Sequence, residues 1–260
     1  MGSQIMQGKF WGQRPKDWSE IQEPTGKAGY DFVLNYIEAG SANKLLDVGC
    51  GSGYFCKLAV DKGFDVTGLD ATPELIAEAK KRASGKNFIV GEMEQLPFEE
   101  NYFDIVCGFN SFQYATDIKN ALKEAKRVLK DGGKLSVMIW GNKEDCEAAT
   151  YLKAVGSLLP PPAPGAGGPF AFSENQLLEN ILGEVGFKIL SNQDVISVWD
   201  YANIETALKG LMSAGPVSRA IEHCGFQKVH ETLLQAVQPF VQANGHIVYH
   251  NKFRIVIAEK

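Results

Sequence analysis

Three observations place this chain in the α/β class, as a doubly wound, mostly parallel sheet with helices on both faces. Between Lys44 and Trp140, short β-branched runs alternate with stretches whose apolar residues recur at helical spacing, the pattern of stacked βαβ units. The first run ends in a glycine-rich turn and the second ends in an acid. A late helical stretch, 203–243, lies between two strand-like runs and adds a helical cap inserted near the C-terminus. The 260 residues are 45% hydrophobic and 22% charged, which is ordinary for a globular chain with a sizeable core.

Each element follows from local chemistry. Lys44–Val48 reads as the first strand. Tyr54–Asp61 reads as a helix with Phe55, Leu58 and Ala59 on one face and Gly63 as its stop. Residues 65–69 form a second strand. Thr72-Pro73-Glu74 opens the next helix with a hydroxyl at the cap, proline in the first turn and an acid near the dipole. Asn87–Val90 and residues 103–108 are the third and fourth strands. Asp117 caps a helix carrying Ile118, Ala121, Leu122, Ala125, Val128 and Leu129, and Asp131-Gly132-Gly133 ends it before a fifth strand at 134–140. The proline- and glycine-rich run 160–169 is a loop. A helix at 174–185, a strand at 187–198, helices over 204–241 broken near Gly215-Pro216 and Gly225, and a last strand at 246–258 complete the chain. This divides it into an N-terminal arm and helix at 1–39 that can act as a lid, a core at 40–200, a cap over the acceptor site at 201–243, and a final core strand at 244–260.

Composition narrows the function classes. No apolar run reaches the roughly 18 residues that span a bilayer, so no membrane insertion is expected. Met1 to Phe10 lacks a basic region followed by an apolar one, unlike a secretory signal. With 26 basic against 31 acidic residues the formal charge is −5, which disfavours nucleic acid as a partner. Five scattered cysteines (Cys50, Cys56, Cys107, Cys146, Cys224) form no CxxC pair, so a reduced, cytoplasmic protein without a metal site is expected.

The chemistry concentrates in Asp47-Val48-Gly49-Cys50-Gly51-Ser52-Gly53. Its glycines bring bare backbone against a ligand, and the free N–H groups of the following helix face it. Asp70, seventeen residues after Gly53, stands where an acid can accept from both hydroxyls of a ribose. A dinucleotide usually wants GxGxxG with a small sixth residue, and Tyr54 occupies that place. D-x-G-x-G-x-G suits a ligand with ribose and no phosphate, within a Rossmann-like arrangement.

Leu45 to Gly53 closely resembles the first motif of class I S-adenosylmethionine-dependent methyltransferases. The resemblance continues through Gly68-Leu69-Asp70-Ala71-Thr72, Gly91-Glu92-Met93-Glu94-Gln95-Leu96-Pro97-Phe98, Tyr102-Phe103-Asp104-Ile105-Val106, and the run from Ala125 to Lys134. It covers about residues 40–141 and looks most like the small-molecule, quinone-biosynthesis branch. It implies S-adenosylmethionine as cofactor, with Gly49, Cys50, Gly51 and Gly53 around its amino-acid part, Asp47 beneath the loop and Asp70 on the ribose. Ala71, Thr72, Glu92 and Met93 would surround the adenine, although the family often has Asp-Ala where this chain has Glu92-Met93.

Methyl transfer from a sulfonium is an in-line displacement that depends chiefly on alignment. Gly108-Phe109-Asn110-Ser111-Phe112-Gln113-Tyr114 follows the fourth strand and should border the methyl group, with Asn110 among the cofactor contacts. The Asn/Asp-Pro-Pro-Tyr of enzymes acting on planar amines is absent there. A small, aromatic or apolar acceptor, methylated on oxygen or carbon, is the expected substrate, and the protein a monomer or homodimer. Phe10, Trp11, Trp18, Tyr30, Phe112, Tyr114, Trp140, Trp199 and Tyr201 are candidate walls. Among His223, His230, His246 and His250, the first is the candidate general base, with Tyr114 as the other catalytic candidate. The competing readings are a nucleic-acid or protein methyltransferase, a nicotinamide-dependent oxidoreductase, and a cofactor-binding regulator without turnover.

Overall fold

The computed structural model describes residues 2–37, 43–160 and 168–260. The proline- and glycine-rich segment expected as a loop lies largely outside the described residues. In chain order the elements begin with helix α1 (Gln4–Trp11), a short helix α2 (Pro15–Asp17), a π-helical turn at Trp18–Gln22 and a 3-10 turn at Glu23–Gly26, before α3 (Lys27–Tyr36). There follow β1 (Lys44–Val48), α4 (Tyr54–Asp61), β2 (Asp65–Asp70), α5 (Pro73–Arg82), β3 (Asn87–Val90), β4 (Phe103–Phe109), α6 (Ile118–Val128) and β5 (Leu129–Trp140). The remainder is α7 (Ala149–Gly156), α8 (Leu177–Val185), β6 (Lys188–Tyr201), α9 (Ile204–Met212), α10 (Gly215–Cys224), α11 (Phe226–Val237) and β7 (Ile247–Glu259).

The seven strands form one sheet in the order β3-β2-β1-β4-β5-β7-β6. The pairs from β3 to β5 are parallel, and β7 runs antiparallel to both β5 and β6. The expected mostly parallel, doubly wound sheet is therefore present. Leu45, Leu46 and Val48 of β1 have no solvent exposure, as a strand covered on both faces requires. One face packs on Tyr30, Val33, Phe55, Cys56 and Ile76 from α3, α4 and α5; the other packs on Ala121, Leu122, Ala125, Leu178 and Leu182 from α6 and α8.

Strand order reverses between β1 and β4, so a crevice opens beyond their carboxyl ends. Three helices, α9 to α11, stand between β6 and β7, with the expected breaks: α9 ends at Met212 just before Gly215-Pro216, which opens α10 with proline in its first turn, and Gly225 separates α10 from α11. Two local expectations differ. The fifth strand starts at Leu129 rather than 134, because Leu129 pairs with Phe103 before a register shift. The helix expected from 174 begins at Leu177, after a 3-10 turn interrupted by Asn175 at φ 51°.

Candidate functional site

The glycine turn leaves β1 and is pinned to its neighbours by backbone bonds. Gly49 and Cys50 donate to the Leu69 carbonyl at 2.7 and 3.0 Å. Gly49 has φ +77° and Gly51 has φ +54°, a region that L side chains rarely occupy. A Cβ on Gly49 would lie 2.3 Å from the Ser111 Cβ, and one on Gly51 would lie 2.5 Å from Glu23 Oε1. Glycine is required at both places because neighbouring segments close directly over the backbone.

Asp70 ends β2 with its carboxylate turned back to the turn. It accepts from the Gly51 N–H and the Thr72 N–H, each at 2.9 Å. Burial pushes its carboxyl above the usual range, and the amide bonds oppose that rise. Two bonds leave further lone pairs on the carboxylate for ligand hydroxyls. The Thr72 hydroxyl makes no cap bond on α5. Asp47 lies fully beneath the turn, accepts from the Cys56 thiol at 3.3 Å, and is pushed up to about 8 by burial.

A cavity enclosing about 530 Å³, part of it open to solvent, lies over this turn. Of the cofactor candidates, Gly49, Gly51, Asp70, Ala71, Thr72, Met93 and Asn110 line it. Asp47, Cys50, Gly53 and Glu92 do not. The Glu92 carboxylate instead accepts from the Gln4 N–H at 2.7 Å, the Ser3 hydroxyl at 3.3 Å and the Glu94 N–H at 3.0 Å. Gln7, Trp11 and Trp18 of the N-terminal segment also line the cavity.

A second cavity, of about 670 Å³ by the same measure, adjoins the first. Trp11, Trp18, Phe109, Asn110 and Tyr114 wall both. Its own lining includes Tyr30, Met138, Trp140, Tyr151, Trp199 and Phe253, with Ala214 and Pro216 from the helical insertion. No Lys, Arg or His side chain is in that wall, and Glu23 is its only carboxylate among the described residues. Phe112 and Tyr201 of the expected aromatic walls are buried elsewhere in the core.

Of the catalytic candidates, Tyr114 stands at the junction of the two cavities, and burial pushes its phenol up to about 12. A phenol so raised stays protonated at neutral pH and is a poor base. His223 is exposed on α10 and lines neither cavity, so the fold does not bring it to the site. His246 and His250 pair at the surface with Asp200 and Glu147, and His230 stacks on Phe226.

One cluster had no counterpart in the sequence reading. Arg82, in the last turn of α5, donates to Glu23 Oε2 at 2.5 Å, to the Ser52 carbonyl and hydroxyl at 3.0 and 2.6 Å, and to the Ser19 carbonyl and hydroxyl at 2.6 and 2.8 Å. Glu23 accepts in turn from the Ser52 N–H at 2.8 Å and from the Ser52 hydroxyl. Glu23 is 5% exposed; burial raises its carboxyl and the Arg82 guanidinium opposes the rise. A basic residue closing a helix reads as dipole complement, and Glu23-Pro24 reads as a turn, so neither advertised the other.

The comparisons agree with this geometry. Residues 46–137 match the family model described as a methyltransferase domain. A malonyl-[acyl-carrier protein] O-methyltransferase from Serratia marcescens is 36% identical over 101 residues, covering 39% of this chain and 40% of that protein. A demethylmenaquinone methyltransferase from Thermotoga maritima is 32% identical over 108 residues, covering 41% and 47%. The chain thus spans less than half the length of these two curated relatives. A solved geranyl diphosphate methyltransferase, in complex with its diphosphate and sinefungin, shares the fold at TM-score 0.54, with 16% identity over 90% of this chain and 77% of that one. The fold is Rossmann-like, as in those methyltransferases.

Proposed function

We propose that this chain transfers a methyl group from S-adenosylmethionine to a small, flat, uncharged acceptor. The observation that carries the reading is the pair of adjoining cavities, one over the glycine turn and one aromatic, with a common wall at Phe109, Asn110 and Tyr114. The first suits a nucleoside with an amino-acid tail: bare backbone at Gly49 and Gly51, a carboxylate at Asp70, and apolar flanks at Ala71 and Met93. The cofactor would supply an electrophilic methyl on a sulfonium. The chain's own part is to align the acceptor and exclude water, since among the described residues no Lys, Arg or His side chain lines either cavity.

The second cavity gives the acceptor its chemistry. A carboxylate or diphosphate buried there would meet no counter-charge, and such burial is costly. Aromatic rings offer stacking area. Trp199 in that wall carries a buried indole Nε1 without a partner, which an acceptor oxygen would satisfy. This supports a phenol- or quinol-like acceptor, methylated on oxygen or carbon. On the same reading, residues 1–39 include a lid over the cofactor, 201–243 cap the acceptor, and Glu92 acts through the arm. The charge of −5 argues against nucleic-acid acceptors, and five cysteines with no disulfide among them suit the cytoplasm. Among the described residues no helix is long and apolar enough to cross a membrane. We take the working unit to be a monomer or homodimer.

Calorimetry with S-adenosylhomocysteine and with NADH tests the first half: binding of the former alone is expected, and the reverse overturns it. Methyl-labelled cofactor with a panel of quinols, phenols, carboxylates and tRNA tests the second. Label transfer to a carboxylate or to tRNA in preference to the neutral rings would refute the acceptor class.

A further inference from the structure

Trp18 carries a hydrogen-bond donor that nothing among the described residues satisfies. Its indole Nε1 is shielded from solvent and has no partner. Buried donors without partners are rare, and an orphan beside a cavity marks a place where a ligand atom belongs. The ring is held on both sides. It packs edge-on against Trp11 with centroids 4.8 Å apart, and the next residue, Ser19, is held by Arg82 through both its carbonyl and its hydroxyl.

Gly51 locates the nitrogen. A Cβ built on that glycine would lie 3.1 Å from Trp18 Nε1 and 2.5 Å from Glu23 Oε1. The indole ring walls both cavities, Gly51 borders the one over the glycine turn, and Glu23 lines the adjoining one. Nε1 therefore lies beside the backbone cradle, where the two cavities meet. A donor and a carboxylate thus converge on the same bare stretch of chain. The negative charge of Glu23 is matched by Arg82, so an anion beside Trp18 would not face an uncompensated carboxylate.

We propose that Trp18 is a cofactor-binding residue whose indole N–H donates to the carboxylate of the cofactor's amino-acid tail, with Glu23 bordering the same cradle as the acceptor for its ammonium. One donor and one acceptor side by side match a zwitterion, and the acceptor does not suit a diphosphate; the ribose already has its acceptor in Asp70. The inference rests on the S-adenosylmethionine reading above and adds to it the residue that recognises the tail. It also gives the N-terminal segment a chemical reason to lie over the turn.

The test compares S-adenosylhomocysteine with 5′-methylthioadenosine, which keeps the nucleoside and the thioether and lacks the tail. By calorimetry on the full chain, Trp18→Phe is expected to weaken the first ligand about tenfold or more, and the second by less than about twofold. Phenylalanine keeps an aromatic wall and removes the donor. The unaltered protein gives an independent readout. Its four tryptophans yield four indole N–H resonances under ¹⁵N labelling. The resonance of Trp18, assigned through its own side-chain couplings, should move downfield with the homocysteine ligand and stay in place with the thioadenosine. Equal weakening of both ligands, or a resonance indifferent to the tail, overturns the proposal and leaves the nucleoside reading standing. If the unaltered chain binds neither ligand, the S-adenosyl reading itself falls and takes this inference with it.

Discussion

Replacing Arg82 by methionine should loosen the N-terminal segment from the glycine turn. The guanidinium makes five hydrogen bonds to Glu23, Ser52 and Ser19, and methionine retains much of the apolar stem while removing all of them. Glu23 would then be a carboxylate at 5% exposure with only Ser52 to stabilise it. Breaking one side of a buried pair typically costs about 3–5 kcal/mol. The Arg82 side chain is 20% exposed, which places the expectation near the lower end, about 3 kcal/mol. For a chain of this size, that is a fall in Tm of about 6–12 °C. The loss has a ceiling, because residues 2–26 can detach and let Glu23 rehydrate. Hydrogen exchange should therefore show faster exchange at 15–26 before the sheet is affected. The double variant Arg82→Met with Glu23→Gln should recover part of the loss, with a coupling of about 1.5 kcal/mol or more. A fall in Tm below about 2 °C with unchanged exchange would refute the view that this cluster holds the arm.

Asp47, pushed up to about 8 from an ordinary 3.8, binds its proton more tightly folded than unfolded. Its contribution to stability is therefore lost as pH rises from about 4 through 8, and Asp47→Asn should gain a few degrees in Tm over the parent at pH 9 but not at pH 3. Parallel pH profiles for the two proteins would contradict the buried, protonated carboxyl. Deleting residues 1–20 removes Gln7, Trp11 and Trp18 from the cofactor cavity, and should weaken S-adenosylhomocysteine at least about tenfold and speed its release. Unchanged affinity and turnover in the truncated protein would dispose of the lid.

The parts of this molecule that could be read from the chain are those built by short-range rules. Asp117 caps α6 as its position suggested, accepting from the Asn120 N–H at 3.2 Å, and the apolar stripe of that helix faces the sheet. β1 and β3 fall at the expected residues: β1 is a central strand covered on both faces and followed by the glycine turn, while β3, at the sheet edge, is marked by the short run Phe88-Ile89-Val90. Asp70 was visible because it closes the strand that follows the glycine turn and its helix. What escaped is non-local. Arg82 meets Glu23 and Ser19 across 59 and 63 residues of sequence, with no periodicity to announce it. The π-helical turn at Trp18–Gln22 has no propensity signature, and it joins Trp18 to Glu23, both of which lie beside Gly51. His223 failed differently. Its residue type suited a general base, but it lies off the stripe Val217, Ala220, Ile221, Cys224 that turns α10 inward, and residue type was weighed above that position.

The two acids that hold the arm, Glu92 and Glu23, both stand outside the lining of the cofactor cavity. Glu92, placed by family resemblance at the adenine, spends its carboxylate on Gln4, Ser3 and Glu94, and does not reach the cavity wall. Glu23 clamps the other end of the arm to Ser52 at the mouth of α4. With acids fixing both ends, Gln7, Trp11 and Trp18 between them are held over the cleft as its outer wall. On the lid reading proposed above, a ligand seated beneath would add contacts to a segment already ordered, and so would bind without the full entropic cost of recruiting a loose loop. Entry and exit would then require the arm to lift, and the bonds at Ser3 and Gln4 should yield before those at Glu23, whose ion pair is the more deeply buried.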